Sequence, residues 1–329
     1  RSSDLGIAFL CKDMPRAGAG IVISASHNPY QDNGIKIFDH AGNKLSDETE
    51  AQLEKAILED KDIPGDSIGR IENLSDGTER YARFLSSKFK FRQLNRQLKL
   101  IIDCANGAAC EICPMVFETD MFDIQIINDK PDGININKDC GSQYVDRLSK
   151  VVLDNNADLG LAFDGDADRL IAVDETGAEV AGDRILAVCA QYARQKNQLR
   201  NNIIVSTIMS NVGLTEFLGS QGIKHVRAGV GDRKVLEEMK RQGALIGGED
   251  SGHLIFLDQH TTGDGLLSAL KLLEVIINTG QPLSELANVI KLYPQILKNM
   301  EVDESRPDIM KIDSIVSTIK KVEKLLGNQ

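Results

Sequence analysis

The sequence has no tryptophan, few aromatic residues and no apolar run long enough to cross a membrane. Aromatic side chains make up 5% of the 329 residues, and every apolar run is shorter than the roughly 18 residues that span a bilayer. No signal sequence opens the chain. These absences argue against a membrane-spanning or secreted protein, and we expect a cytoplasmic location.

Basic residues are outnumbered by acidic ones. The 38 Lys and Arg residues against 49 Asp and Glu residues give a net charge of −11. This acidity argues against a nucleic acid or a membrane as partner, although a local basic pocket for a phosphate is compatible with it. The 42% of hydrophobic residues and 26% of charged residues are typical of a globular protein rather than a disordered one.

Cysteine and proline are sparse, at six and eight residues, whereas the 28 glycines are normal for a loop-rich protein. Cysteines this thinly spread among apolar neighbours are typical of reduced thiols. Cys110 and Cys113 have the C-x-x-C spacing, which leaves a redox or zinc site as an alternative. No second pair and no nearby histidine completes such a site, so we favour free thiols.

Five segments share a short apolar run that ends in small or polar residues. Each is predicted to be a buried strand followed by a loop, at 20–26, 98–107, 157–165, 202–210 and 244–251. Helical patterns lie between them, for example over 47–58 and 182–194. This alternation predicts an α/β fold of consecutive three-layer α/β/α domains with mixed, mostly parallel sheets. Ligands bind such sheets beyond the carboxyl ends of the strands.

The length predicts two or three domains, and the polar stretches 92–97 and 195–202 are candidate boundaries. We predict a first domain over 1–95, a second over 96–197 and a third over 198–298. In the remaining segment, 299–329, an extended piece over 303–308 is expected to lead into a helix with apolar residues at a 3.6-residue period. That segment is interpreted as the start of a fourth domain.

Ser26 follows the first apolar run, within the segment Ser-Ala-Ser-His-Asn-Pro at 24–29. Asn33 and Gly34 are predicted to turn the chain so that Lys36 returns toward this loop. A phosphate on Ser26 would have Lys36 and His27 as cationic or proton-carrying neighbours. The residues alone leave two interpretations open, a nucleophilic serine and an ordinary turn.

Three aspartates alternate along the chain directly after the apolar run 159–163: Asp164, Asp166 and Asp168. They share one face if the segment is extended, and such a set favours a hard divalent ion, for which we expect Mg²⁺. An EF-hand is one alternative, because Glu175 occupies its twelfth position. Its sixth position needs glycine but holds Arg169, and a strand pattern follows. A surface cluster of acids is the other alternative.

A third loop, Gly-Gly-Glu-Asp-Ser-Gly-His at 247–253, presents Glu249, Ser251 and His253 within five positions. This combination of acceptor, hydroxyl and imidazole suits the binding of sugar hydroxyls, and an ordinary glycine-rich turn is the alternative. Upstream of it, Arg233 could contact a phosphate or cap a helix.

These loops, in this order, resemble the α-D-phosphohexomutase superfamily over essentially the whole chain. Residues 24–29 resemble its phosphoserine loop, 164–169 its metal loop and 248–253 its sugar-binding loop. The segments 209–214, 230–233 and 261–265 are more similar to its glucosamine branch than to its glucose or mannose branches.

Two motifs of the superfamily are missing from the sequence. These are an N-terminal Gly-Thr-Asp-Gly-Ile-Arg-Gly segment and the Arg-x-Ser-Gly-Thr-Glu-Pro phosphate loop of its last domain. The resemblance therefore implies a partial first domain and a truncated fourth domain. It also implies that the chain alone is weakly active or inactive.

The resemblance implies an isomerase that interconverts glucosamine 6-phosphate and glucosamine 1-phosphate, on the route to UDP-N-acetylglucosamine and the bacterial cell wall. Phosphorylated Ser26 would donate its phosphoryl group to the sugar, and the resulting glucosamine bisphosphate would reorient and return its other phosphate. One Mg²⁺ per site, held by the three aspartates and a phosphoserine oxygen, would offset the charge on the transferring group.

The remaining roles are also implied by the resemblance. Lys36 or His253 would carry protons, Glu249 and Ser251 would bind sugar hydroxyls, and three residues would contact substrate phosphate, namely His27, Arg169 and Arg233. The expected partner is a hexosamine phosphate. The sequence does not determine the oligomeric state, and a homodimer is compatible with it.

Three alternative functions remain open on the sequence. A phosphomannomutase or phosphoglucomutase of the same superfamily would share all three loops. A metal-dependent phosphatase would use the aspartates without Ser26, and a non-catalytic sugar-phosphate binder would never carry phosphate on Ser26.

Overall fold

A computed structural model describes residues 3–59, 69–89, 91–298 and 308–326. Helices and strands alternate along most of this part of the chain. The helices are α1 (Asp4–Asp13), α2 (Asp47–Leu58), α3 (Gly77–Ser87), α4 (Ala109–Phe117), α5 (Asp146–Asp154), α6 (Gly182–Gln195), α7 (Val212–Ser220), α8 (Asp232–Gln242), α9 (Gly265–Thr279), α10 (Leu283–Ala287) and α11 (Asp313–Leu326). The strands are β1 (Ala19–Ser24), β2 (Gly34–Asp39), β3 (Leu98–Asp103), β4 (Phe122–Ile127), β5 (Leu159–Phe163), β6 (Leu170–Asp174), β7 (Glu179–Val180), β8 (Ile203–Thr207), β9 (Lys224–Ala228), β10 (Ile246–Gly248) and β11 (Leu254–Phe256). Across the described ranges, no helix combines the length and apolar character that a membrane crossing requires.

The described strands form three sheets. β1 and β2 make an antiparallel hairpin, the second sheet has the order β4-β3-β5-β6-β7, and the third has the order β11-β10-β8-β9. In the second sheet β3 pairs in parallel with β4 and β5, and in the third β8 pairs in parallel with β9 and β10. The pairs β5–β6, β6–β7 and β10–β11 are antiparallel. The prediction of an α/β fold with mixed sheets is confirmed.

The apolar runs in the second and third sheets form buried strands because helices pack against these sheets. Every residue of β5, β6 and β8 is buried, as the continuous apolar runs predict for central strands. The predicted helix over 47–58 is α2, with the same bounds. It is capped by Ser46, whose hydroxyl accepts the N–H of Thr49.

The packing of two helices bears on where the domains divide. Helix α3 packs against α1 and α4, and α6 packs against α7, α9 and β10. These helices therefore contact elements on both sides of the boundaries predicted from the sequence, at 95/96 and 197/198, which stay predictions. Near the C-terminal end, α11 packs against a short 3₁₀ turn at Ile309–Lys311. The predicted extended piece over 303–308 lies outside the described residues except for Asp308.

The topology brings three loops to one place. The chain leaves β1 in the serine loop (24–29), passes from β5 to β6 through the carboxylate loop (164–169), and connects β10 with β11 through the glycine-rich loop (247–253). Because each loop follows the carboxyl end of a strand, it lies where α/β sheets bind their ligands.

Candidate active site

The serine, carboxylate and glycine-rich loops border one cavity of about 490 Å³. Its lining includes these residues that the sequence singled out: Ser26, Lys36, Asp168, Arg169, Glu249, Ser251 and His253. It also includes charged residues that the sequence analysis missed, among them Lys44, Asp232 and Asp250. A neighbouring cavity of about 540 Å³ is lined by Asp166, but no cationic side chain of the described residues lines it. The first cavity is therefore the candidate active site.

The serine loop is held in a conformation that is rare for a side-chain-bearing residue. Ser26 has a φ of +52°, in the left-handed region, and its backbone N–H donates to Ser24 Oγ over 2.8 Å. Asn137 Nδ2 donates to the carbonyl oxygens of Ser26 and Asn28, over 2.8 Å each. Ser26 Oγ lies 3.4 Å from His27 Nδ1. Strain of this kind persists only where the surroundings enforce it, and here Asn137 and Ser24 do so.

The serine loop and the carboxylate loop are in direct contact. Ser24 Oγ donates to Asp166 Oδ2 over 2.9 Å. Gly165 approaches Ser26 so closely that a Cβ on Gly165 would lie 2.5 Å from the Ser26 carbonyl oxygen. Any larger residue at position 165 would separate the loops, which accounts for the glycine between the first two aspartates.

Lys36 lies among three carboxylates. The antiparallel register pairs it with Val22 on β1 and brings its side chain back toward the carboxylate loop. Its Nζ lies 2.8 Å from Asp4 Oδ2, 2.7 Å from Asp166 Oδ2 and 3.6 Å from Asp168 Oδ2. Burial lowers the pKa of Lys36, but the three carboxylates outweigh burial and raise it. Lys36 is therefore a fixed cation at the edge of the cavity.

Asp4, at the start of α1, is a site residue that the sequence analysis missed. Its side chain is buried, and burial together with the Asp166 charge raises the pKa of Asp4 to about 7. Nothing local marks it, since its role comes from the contact with Lys36, 32 residues away in the chain.

The three predicted aspartates are buried and each has one carboxylate oxygen without a hydrogen-bond partner among the described residues. These oxygens are Asp164 Oδ2, Asp166 Oδ1 and Asp168 Oδ1. A buried, unpartnered carboxylate oxygen is costly unless a cation compensates it. The donor set fits a hard divalent ion such as Mg²⁺, which prefers carboxylate oxygens.

Within the described residues, the set of acidic side chains that has the spacing of a metal site includes Asp4 in place of Asp164. Asp4, Asp166 and Asp168 offer oxygens within 4.8 Å of one another. Because the Oδ2 atoms of this set already surround the Lys36 ammonium, we favour the unpartnered oxygens of Asp164, Asp166 and Asp168 as the place for a metal ion.

The surroundings shift the pKa values of two of these carboxyls in opposite directions. Burial and the charge of Asp168 raise the pKa of Asp164. Burial also opposes the ionisation of Asp168, but the adjacent His253 outweighs it and the pKa of Asp168 falls below its usual range. A cation between them would favour the ionised form of both.

His253 joins the carboxylate loop to the start of α8. Its Nδ1 lies 3.4 Å from Asp168 Oδ2, and its Nε2 lies 3.9 Å from Asp232 Oδ2. Burial disfavours the imidazolium, but Asp168 and Asp232 outweigh burial and raise the pKa of His253. Asp232 also forms an ion pair with Lys44. Acidic and basic side chains thus alternate along one side of the cavity, in the order Asp168, His253, Asp232 and Lys44.

The other predicted residues are placed as follows. Glu249 and Ser251 line the cavity, and Glu249 Oε1 accepts the N–H of Gly231 over 3.2 Å. Arg169 lines it too, with its Nε 3.9 Å from Asp164 Oδ2 and Asp168 Oδ1. Burial and Arg169 lower the pKa of His27, next to Ser26.

Arg233 is directed away from this site. Helix α8 begins at Asp232, so that Asp232 faces the cavity while the Arg233 guanidinium pairs with Asp47 and, over 2.7 Å, with Glu50 of α2. In this structure Arg233 ties α8 to α2 rather than lining the cavity that contains Ser26. A phosphate contact by Arg233 would require this pairing to break.

The EF-hand alternative and the C-x-x-C site find no support in the described residues. Leu170–Asp174 is the strand β6, and the Glu175 carboxylate accepts hydrogen bonds from the N–H and hydroxyl of Ser284. Cys110 and Cys113 lie on α4 as free thiols, and the metal-spaced cluster found in the described ranges contains neither.

Three family models match the chain. They are the phosphoglucomutase/phosphomannomutase alpha/beta/alpha domain I at residues 6–63, domain II at 79–177 and domain III at 181–293. These matches and the sheets agree on an α/β/α architecture.

Curated relatives of high similarity carry one name. A phosphoglucosamine mutase of Desulforapulum autotrophicum is 49% identical, over 98% of this chain and 73% of that protein. A phosphoglucosamine mutase of Syntrophobacter fumaroxidans is 49% identical with the same two coverages, 98% and 73%.

Solved structures share the fold. A phosphoglucomutase/phosphomannomutase family protein from Burkholderia thailandensis matches with a TM-score of 0.72 and 25% identity. The match covers 82% of this chain and 58% of that protein. The N-acetylphosphoglucosamine mutase of Aspergillus fumigatus, solved with GlcNAc-6P and magnesium, matches with a TM-score of 0.64 and 20% identity over 88% of this chain and 77% of that one.

Proposed function

The chain belongs to the phosphoglucosamine mutases, an isomerase family, and from this membership we propose that it interconverts glucosamine 6-phosphate and glucosamine 1-phosphate. The observation that carries the proposal is the contact between the serine loop and the carboxylate loop, where Ser24 Oγ donates to Asp166 Oδ2 over 2.9 Å. It brings a loop with a candidate nucleophile beside buried, unpartnered carboxylate oxygens. The product would supply the synthesis of UDP-N-acetylglucosamine.

Phosphorylated Ser26 is the proposed phosphoryl donor. A hydroxyl oxygen of the sugar bonds to phosphorus as the bond from phosphorus to Ser26 Oγ breaks, and the hydroxyl proton passes to a base. The sugar then carries two phosphates, reorients in the cavity and returns its other phosphoryl group to Ser26. Glu249 and Ser251, which line the same cavity, are proposed to bind sugar hydroxyls in both orientations.

Asp164, Asp166 and Asp168 are proposed to hold one Mg²⁺ through their unpartnered oxygens. When bound, the ion supplies positive charge that offsets the negative charge of the transferring phosphoryl group. Lys36 and Arg169 add fixed positive charge on the same side of the cavity. Of the two candidates for proton transfer, Lys36 is held as a cation and is proposed only as a proton donor, whereas His253 is proposed as the base. The pH profiles of Lys36→Met and His253→Gln would distinguish them.

The test is the phosphorylation of Ser26. The chain is incubated with glucosamine 1,6-bisphosphate and Mg²⁺, and the phosphate is located by mass spectrometry of its peptides. We expect phosphate on Ser26 and none in Ser26→Ala. The matched control is Ser87→Ala, an exposed hydroxyl at the end of α3, which should leave phosphorylation of Ser26 unchanged.

Two outcomes would count against the proposal. An unphosphorylated Ser26 would remove its first step, and phosphate release that persists in Ser26→Ala would favour the metal-dependent phosphatase. Turnover of glucosamine, glucose and mannose phosphates side by side tests the choice of sugar. A preference for glucose or mannose phosphate would favour the phosphoglucomutase or phosphomannomutase alternative.

A further inference from the structure

Charge is distributed unequally over the cavity that contains Ser26. Lys36 and Arg169 lie with Asp168 on the side of the carboxylate loop. Asp232, Glu249 and Asp250 come from the third sheet and its loops, and of these three carboxylates only Asp232 pairs with Lys44. A ligand with a negative phosphate at one end and a positive group elsewhere matches this distribution better than an anion alone.

Asp232 lines this acidic side and has one carboxylate oxygen open to the cavity. Its Oδ2 pairs with Lys44 and faces His253 Nε2 at 3.9 Å, whereas Oδ1 has no hydrogen-bond donor among the described residues. The side chain is 31% exposed, so a ligand in the cavity can reach it. Lys44 and His253 outweigh burial and hold the pKa of Asp232 below its usual range.

The two neighbouring carboxylates, Glu249 and Asp250, each accept a hydrogen bond from a backbone N–H. Glu249 Oε1 accepts the N–H of Gly231, and Asp250 Oδ1 accepts the N–H of Asp183 at the start of α6. Asp250 is thereby directed toward a helix N-terminus. Each of the three carboxylates thus has one oxygen without a donor among the described residues, and Asp232 is the one of the three that contacts His253, the neighbour of Asp168.

Asp232 also lies beside the reacting end of the site. The His253 ring is 3.4 Å from Asp168 on one side and 3.9 Å from Asp232 on the other, so a single imidazole separates Asp232 from the carboxylate loop. In glucosamine 6-phosphate the hydroxyl that accepts the phosphoryl group is on C1, and the amino group is on the adjacent carbon, C2. A group that binds the amine must therefore lie next to the reacting end.

We propose that Asp232 accepts a hydrogen bond from the 2-ammonium group of the hexosamine phosphate and thereby selects hexosamine over hexose phosphates. This inference rests on the proposed function. A carboxylate that binds an ammonium makes a charge-assisted hydrogen bond, whereas the neutral 2-hydroxyl of glucose offers a weaker donor. Lys44 orients Asp232 by holding Oδ2, which leaves Oδ1 for the ligand.

The test compares the binding of three ligands to the full chain by isothermal titration calorimetry. They are glucosamine 6-phosphate, glucose 6-phosphate and N-acetylglucosamine 6-phosphate, in which the amine is neutralised. The wild-type protein should bind the first about tenfold or more tightly than the other two, as expected for a charge-assisted hydrogen bond. Asp232→Asn should lower the affinity for glucosamine 6-phosphate until all three affinities are similar.

The matched control is Asp250→Asn, a neighbouring carboxylate whose Oδ1 accepts the N–H of Asp183 and which does not contact His253 in the described residues. It should leave the preference for glucosamine 6-phosphate unchanged. Equal binding of the three ligands by the wild-type protein would overturn the inference without any variant. An equal loss of affinity for all three in Asp232→Asn would overturn it as well, while the proposed function would stand. Failure of every ligand to bind the folded wild-type chain would contradict both.

Discussion

Ser24 Oγ donates a hydrogen bond to Asp166 Oδ2 over 2.9 Å and accepts one from the backbone N–H of Ser26 over 2.8 Å. One hydroxyl thus connects two loops that lie 142 residues apart in the chain. The contact fixes the distance between the serine proposed to carry phosphate and a carboxylate proposed to bind metal.

Replacing Ser24 by alanine should therefore slow phosphoryl transfer more than it weakens ligand binding. The variant loses a hydrogen bond to a charged group and another to the strained backbone of Ser26, which together should lower kcat by about tenfold or more. Single-turnover transfer from the bisphosphate measures this directly. A kcat that stays at the wild-type value, or a loss that resides entirely in KM, would contradict the role of Ser24.

Asn137 should support the same loop from the second domain. Its side chain is buried and donates to the Ser26 and Asn28 carbonyl oxygens. Asn137→Ala would leave both carbonyls without this donor and should lower the free energy of unfolding by about 1–3 kcal/mol. Chemical denaturation measures the loss, and Asn155→Ala, at the end of α5 and away from the site, serves as control. Equal stability of the two variants would argue against this support.

The sequence predicted those parts of the site that have a local signal. The serine, carboxylate and glycine-rich loops each follow an apolar run, and a strand with its following loop is recognisable from a few adjacent residues. Lys36 was also predicted, because the turn at Asn33 and Gly34 determines where β2 returns.

Asp4, Lys44, Asn137 and Asp232 could not be predicted in this way, because their roles depend on contacts between distant segments. Asn137 meets Ser26 across 111 residues of sequence. Arg233 is a further example. The sequence pattern made Arg233 a candidate phosphate contact, but helix α8 begins so that Asp232 faces the cavity and Arg233 pairs with α2.

Magnesium should stabilise the chain through the unpartnered carboxylate oxygens. An ion that binds only the folded state raises its stability by mass action, by about 2.7 kcal/mol at a hundredfold excess over Kd. MgCl₂ should therefore raise Tm relative to KCl at equal ionic strength, and Asp164→Asn should reduce this increase. An unchanged Tm with MgCl₂, or a full increase in Asp164→Asn, would contradict the assignment of the three aspartates.

Removing Lys36 should destabilise the protein because its ammonium compensates the negative charges of the Asp4 and Asp166 carboxylates. Lys36→Met leaves these carboxylates close together and buried, and breaking such a pair typically costs about 3–5 kcal/mol. Asp4→Asn in the same chain should recover part of that loss, since it removes one of the charges left behind. The double-mutant cycle in urea measures the coupling. Strictly additive effects would show that Lys36 and Asp4 do not interact.

His260 should make the folded state less stable at acidic pH. The side chain is buried against Tyr81 and Phe84, its Nδ1 accepts the N–H of Thr262, and burial together with the charge of Lys12 lowers the pKa of His260 to about 4. Its pKa in the unfolded chain is about 6.5. Between these values the unfolded state binds more protons, so stability falls as the pH is lowered through this window.

The loss attributable to His260 should reach about 3 kcal/mol between pH 7 and pH 4, as the pKa difference requires. Asp264 acts in the opposite direction, because burial raises its pKa to about 6 and the folded state gains a proton as the pH falls. Asp264 is present in both the wild-type protein and His260→Phe, so its contribution to the pH dependence of stability cancels when the two are compared. Urea unfolding at a series of pH values should give a steeper acid loss in the wild-type protein. Parallel curves would mean that His260 takes up its proton as readily in the folded state as in the unfolded one.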